Sequence, residues 1–162
     1  MSDFAVAAEE GSSLFSLRPA QLDDLPGIRV VSDDARMPAI ESVAHCLVAV
    51  NDDDEAVGFI RLKLLPDPLD PALTVPYVYP VAVHSTWQGL GVGTALVKAA
   101  AQRYGQLRLV ACSRSQGFYE QLGMARAPWE SIAPEIAGDC TWCPDAAHCT
   151  PQPYWSDGEN IG

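Results

Sequence analysis

The stretch VAVHSTWQGLGVGTALVKAA, residues 81–100, decides how the rest of the chain is read. It begins as an apolar run, gives up side chains at Gly89, Gly91 and Gly93, and then settles into alanine, leucine and valine at helical spacing. Glycine costs backbone entropy on folding, so three of them between a strand and a helix need a reason. A helix N-terminus carries unpaired N–H groups and about half a unit of positive charge. A turn without side-chain bulk lets an anionic group approach those donors closely. Here the three glycines expose the amides and Thr94 adds a hydroxyl. The nucleotide P-loop pattern is excluded, because no lysine follows in the required position. The dinucleotide pattern fails as well, because Leu96 stands where its third glycine belongs. On these residues alone a phosphate cradle and a merely tight turn both remain open.

Working outward, YVYPVAV at 77–83 reads as the strand feeding the turn, and Pro80 in its middle predicts an edge or a bulge. The helix spans 94–104, with Leu90, Val97, Ala101 and Tyr104 on one side and Gly105 as its stop. A strand at 107–111 and a short helix at 116–123 follow, and MARAPW with the region after it is expected to supply final strands, although prolines interrupt them. Upstream, a strand around Leu14 to Leu17 precedes a helix capped by Asp23 or Asp24 and running through Ile28 and Val31. Residues 38–44 suggest a further helical turn. HCLVAVNDDDEAVGFIRLKLL reads as a hairpin with strands at 46–50 and 56–64 around an acidic turn. LPDPLDPALTVP, 65–76, is rich in proline and predicts an irregular connection. The pattern is that of a mixed α/β single domain without internal repeats.

The chain has 162 residues, 48% of them hydrophobic, which is enough for a real core. Its net charge is −11. Residues 1–72 hold 14 acids against 5 bases, net −9, and residues 73–162 hold 7 against 5, net −2. Such a balance argues against nucleic acid, which needs a basic face, and an anionic ligand belongs in the second half. No apolar run approaches a membrane span, and MSDFAVAAEEGSS lacks the pattern of a secretory signal. A cytoplasmic location is the expectation. Cys46 and Cys112 lie in apolar runs and read as buried free thiols.

VAVHSTWQGLGVGTALV resembles the acetyl-CoA signature of the GNAT N-acetyltransferase family, [Q/R]-x-x-G-x-[G/A], through Gln88, Gly91 and Gly93. FYEQLGM, beginning at Phe118, resembles the family's second signature. SLRPAQLDDLPGI is similar to its usual opening. The resemblance covers roughly residues 14–128. It implies an α/β fold with a mixed, mostly antiparallel central sheet, splayed between its fourth and fifth strands and flanked by helices. It further implies an acyl-CoA N-acyltransferase domain at 14–136, after a flexible tail at 1–13. Residues 137–162 are then a Cys/Trp/Pro-rich extension packing on that domain. Pantetheine would pair with backbone around Val81, Ala82 and Val83. The pyrophosphate would rest on Gln88, Gly89, Leu90, Gly91, Val92, Gly93 and Thr94.

The implied reaction is attack of a primary amine, on a small molecule or a peptide, at the acetyl thioester within a ternary complex. Tyr119 matches the family's general acid; a phenol protonates a departing thiolate without ionising at neutral pH. A backbone N–H near Val83 would polarise the carbonyl. No base is evident: where several relatives carry a glutamate on the fourth strand, Tyr77 and Tyr79 stand, and His84 and His45 read as structural. Asp33, Asp34 and Glu41 either hold a cationic acceptor or form a solvated acidic surface. The alternative reading is a non-catalytic acyl-CoA-binding or partner-binding module with the same fold. Cys140, Cys143, His148 and Cys149 have a spacing that admits a structural zinc, a disulfide or free thiols. The metal-free reading leads. PQPYWSDGENIG reads as loop, with Tyr154 and Trp155 docked on the core or on a partner. Relatives are often dimers, so a homodimer is an expectation.

Overall fold

The computed structural model describes residues 14–144 and 146–157, and the expected tail at 1–13 lies outside them. Seven strands form one sheet in the order β1-β2-β3-β4-β5-β7-β6. They are β1 (Ser16–Pro19), β2 (Cys46–Val50), β3 (Ala56–Asp67), β4 (Asp70–Val83), β5 (Leu107–Ala111), β6 (Ala125–Arg126) and β7 (Gln152–Ser156). The helices are α1 (Leu25–Asp34), α2 (Val92–Tyr104), α3 (Gln116–Gln121) and α4 (Pro134–Gly138). β1 with β2, β2 with β3, β5 with β7 and β6 with β7 pair antiparallel. β4 and β5 run parallel, on a ladder one pair long, Tyr77 opposite Arg108. This is the mixed, mostly antiparallel α/β arrangement expected. None of the helices is long and apolar enough to cross a membrane among the described residues.

The chain divides into two units: residues up to Leu62 with Tyr79–Arg103, and Lys63–Val78 with the residues from Tyr104 onward. In the first unit Leu25, Ile28 and Val31 of α1 pack on Val48 and Val50 of β2, Phe59 of β3 and Ala82 of β4. Their spacing of three along α1 is what places them on one side. Gly58 lets α2 come close: a Cβ there would lie 2.9 Å from Val92 Cγ1 and 3.1 Å from the Ala82 carbonyl oxygen. Arg18 fastens β1 by donating to Asp24 at 2.6 Å and to Asp54 at 3.1 Å.

The second unit is organised by a buried polar network. Arg108 grips Asp67 through two parallel hydrogen bonds of 2.9 and 3.1 Å and donates to the Ser131 carbonyl at 2.6 Å. The Tyr77 hydroxyl donates to the same carbonyl at 3.3 Å and accepts from the Ala133 amide at 2.9 Å. This network explains the first departure from expectation. Residues 65–76 are not an irregular connection but the outer part of a long hairpin. The Asp67 side chain accepts from the Leu69 amide at 2.9 Å, a local turn that needs nothing from the neighbouring prolines. β4 lies inside the strand order, so Pro80 does not mark an edge strand; it follows a cis peptide bond and lies past the single pair with β5.

Three smaller expectations also change. Residues 38–43 form no helix and no regular structure, with Ile40 buried and its carbonyl accepting from Arg29. β1 sits two residues later than expected. Residues 152–156 are not loop: they form β7, between β5 and β6, and Tyr154 is fully buried.

Candidate functional site

The first unit holds the glycine turn. Trp87 closes a short turn onto His84 at 2.8 Å, and residues 88–91 then form an exposed bend before α2 begins at Val92. Gly89 and Gly91 have φ of +82° and +86°, the left-handed region that side chains rarely adopt. A Cβ built on either meets nothing within 4 Å, so the space over the bend is open. Among the described residues, the amides of Gly89, Leu90 and Gly91 donate to no partner. The Gly91 carbonyl accepts from Ala95 at 3.0 Å, so the bend runs directly into the first turn of α2. Unpaired donors at the positive end of a helix form a ready-made anion site.

The bend is held from both sides. The Gln88 side chain donates to the Val83 carbonyl at 3.4 Å. Asp34, at the end of α1, accepts from the Ser85 amide at 2.7 Å and from its hydroxyl at 3.0 Å. Those bonds hold the Asp34 carboxyl below the usual carboxylate range. Asp34 is therefore an anchor for the turn, not an open acidic surface. His84 accepts from the Thr86 amide through Nδ1 at 3.2 Å, which agrees with a structural reading. Ala82 points into the core, and Val81 and Val83 are half-buried. Arg61 donates to the Tyr79 carbonyl at 2.8 Å and stacks its guanidinium 5.4 Å from the centre of that ring.

A cavity of about 430 Å³ in the same unit is lined by Asp23, Asp24, Asp54 and Glu55 together with His84 and Trp87. Two of its four carboxylates, Asp24 and Asp54, are paired with Arg18, and Asp23 and Glu55 leave the wall net acidic, which disfavours an anion there.

The second unit holds Tyr119, which is 7% exposed on α3. Its ring meets Phe118 edge-on at 4.9 Å and lies 6.2 Å from Tyr154. Its hydroxyl has no hydrogen-bond partner among the described residues. Burial first, then the neighbouring Cys112 thiol, pushes the phenol well above its ordinary value. The helix is fixed from the C-terminal segment: Gln116 donates to the Thr150 carbonyl at 2.7 Å, and Tyr154 donates to Glu120 at 2.6 Å. Gly123, with φ of +94°, ends it as expected. Tyr77, by contrast, is a fully buried structural phenol engaged by Ser131 and Ala133.

Cys46 is buried, which pushes its thiol up to about 12. Cys112 is exposed, not buried as its apolar run suggested, because it falls one residue past the end of β5. All five cysteines are free. Among the described residues no group of three or more His, Cys, Asp or Glu side chains is arranged to hold a metal ion. The sequence reading missed Gly58, Asp34 as an anchor, and β7. The last two rest on partners remote in the chain and leave no local signal.

The model of the acetyltransferase (GNAT) family matches residues 15–124. No curated protein sequence matches the chain. Among solved structures, N-acetylglutamate synthase from Neisseria gonorrhoeae, complexed with coenzyme A and N-acetyl-glutamate, is similar with a TM-score of 0.61 at 16% identity. The match covers 87% of this chain but only 34% of that one, so the chain spans about a third of that enzyme. A structure titled histone acetyltransferase HPA2 and related acetyltransferase, from Corynebacterium glutamicum, gives a TM-score of 0.60 at 22% identity over 88% of this chain and 95% of that one. NAA60 from Arabidopsis thaliana, in complex with a bisubstrate analogue, gives 0.63 at 13% identity over 88% and 97%. At these identities the likeness concerns the fold. With the family match over residues 15–124 and an unencumbered glycine bend at the start of α2, the chain belongs to the acetyltransferase (GNAT) family.

Proposed function

We propose that this chain is an N-acetyltransferase that moves the acetyl group of acetyl-CoA directly to a primary amine. The observation that carries the reading is the run of three unengaged amides at Gly89, Leu90 and Gly91, opening onto free space at the head of α2. Those donors suit the coenzyme's diphosphate, with Gln88, Val92, Gly93 and Thr94 completing the turn. The backbone of Val81, Ala82 and Val83 serves pantetheine, and the Val83 region polarises the acetyl carbonyl.

Tyr119 is the general acid. Its hydroxyl, without a hydrogen-bond partner among the described residues, stays protonated across the physiological range and donates to sulfur as the thiolate departs. Its raised pKa makes it a weak acid when free, so proton donation accompanies expulsion of the thiolate and does not precede it. No carboxylate takes the fourth-strand base position, where Tyr79 stands, so the amine reacts from its neutral fraction or through water. The acidic balance of the chain favours a neutral or cationic acceptor, a small molecule or the amino group of a peptide. A cytoplasmic setting is one in which free thiols and this charge are ordinary.

Titration calorimetry with acetyl-CoA, followed by thiol-release assays over a panel of amines, tests the proposal. Micromolar coenzyme binding with amine-dependent release supports it. Binding without release under any amine favours the non-catalytic module, and absence of binding removes both.

A further inference from the structure

Four of the five cysteines fall in the second unit, and where β5 ends the Cys149 sulfur reaches the residue next to Cys112. The Cys149 sulfur accepts from the Ser113 amide at 3.4 Å and lies 3.6 Å from the Ser113 hydroxyl. Ser113 is bonded directly to Cys112, so standard backbone lengths put the Cys149 sulfur within about 6 Å of the Cys112 Cα. The two segments are clamped in this alignment. The Thr150 amide donates to the Ser113 hydroxyl at 2.9 Å, and the Ala111–Gln152 pair closes the β5–β7 ladder just behind. Cys112 is exposed and Cys149 half-buried, so a small reagent reaches both. A disulfide joins Cα atoms roughly 4.4–6.8 Å apart, so the bridge forms when the Cys112 side chain leaves Ser115, 2.9 Å away, and turns toward Cys149.

We propose that Cys112 and Cys149 form a reversible thiol–disulfide pair that takes a low-molecular-weight disulfide, such as glutathione disulfide, as its oxidant. The Cys112 thiolate attacks one sulfur of the reagent and expels the first reagent thiolate, leaving a mixed disulfide. The Cys149 thiolate then attacks the Cys112 sulfur and expels the second. The two cysteines lose two electrons and two protons, and the reagent becomes two thiols. Cys112 is the entry point. Burial lifts its thiol, but hydrogen bonds from Ser115 and Arg114 outweigh burial and hold it below the ordinary thiol value. The thiolate is the attacking species, so this favours Cys112 over Cys140, whose thiol is raised by burial and by Cys149 and Cys143. The pair lies beside the acid of the proposed reaction without belonging to it, and its formation is read independently of turnover.

The test uses the full chain, reduced and then equilibrated with glutathione disulfide, with remaining thiols alkylated before intact-mass and non-reducing peptide analysis. The expected result is loss of two hydrogens, a peptide pair joined through Cys112 and Cys149, and complete reversal by dithiothreitol. Cys149→Ser should stop at the mixed disulfide on Cys112, and Cys112→Ser should give no bridge to Cys149. Five alkylatable thiols after oxidation, or a bridge confined to Cys140, Cys143 and Cys149 in the native chain, would overturn the assignment. Circular dichroism of both variants guards against misfolding, and Cys112→Ala serves if the serine disturbs the loop.

Discussion

Replacing Tyr119 with phenylalanine separates chemistry from architecture more cleanly than any other single change. The ring is 7% exposed and packs on Phe118 and Tyr154, contacts that phenylalanine keeps. The hydroxyl has no hydrogen bond to lose among the described residues. Stability should therefore stay within about 1 kcal/mol of the native chain, because the usual cost of a deleted hydroxyl is its lost partner. Turnover should fall by about 10²–10⁴, the ordinary contribution of a positioned acid. At about 1.4 kcal/mol per decade that is roughly 3–5 kcal/mol of transition-state stabilisation. Coenzyme affinity, measured by calorimetry, should not move, since the diphosphate donors lie on residues 88–94. The sign of the pKa shift adds a second check. Burial raises the phenol, so its protonated, active form persists above the ordinary phenol value, and native turnover should show no loss from Tyr119 ionisation at or below pH 10. The assay is initial-rate thiol release at saturating acetyl-CoA and acceptor. A variant that turns over within about threefold of native, a difference of well under 1 kcal/mol, refutes the assignment of the acid.

Gly91→Leu should raise the coenzyme dissociation constant at least about tenfold, through a left-handed backbone that leucine resists and a side chain in the open space over the bend; unchanged calorimetry would refute the anion site. Gly58→Ala should cost about 1–3 kcal/mol in denaturant unfolding, because its Cβ would meet Val92 and the Ala82 carbonyl, and it should also weaken coenzyme binding by displacing the start of α2. Asp67→Asn should destabilise by about 3–5 kcal/mol, since Arg108 would be left buried without its counter-charge. Asp67, held low by Arg108, and Asp24, held low by Arg18, contribute stability that is complete above about pH 4, the unfolded carboxylate value, and is lost as pH falls through the lower folded values. An acid titration with a midpoint unaffected by Asp67→Asn would show that the pair does not contribute.

What the sequence makes legible is what its physics keeps local. The glycine bend is readable because left-handed backbone and free amides are properties of six consecutive residues, and the stops at Gly105 and Gly123 are readable for the same reason. The hairpin at 46–60 is readable because two apolar runs and the acidic turn between them are adjacent in the chain. Prolines mislead when the compensation lies elsewhere. Pro66, Pro68 and Pro71 look like breakers until Arg108, 41 residues away, engages Asp67. Likewise Asp34 looks like free surface charge until Ser85, 51 residues on, takes up its carboxylate. The C-terminal segment is the sharpest instance. Pro153, Pro151 just before the strand and the lack of clear alternation disguise Gln152–Ser156, yet β7 forms because β5 offers a complete antiparallel register from Leu107 to Ala111. The consequence reaches the chemistry. The match to the family ends at residue 124, but α3 is tied down by Thr150 and Tyr154, so a part of the chain outside the family pattern holds the residue on which the proposed proton transfer depends.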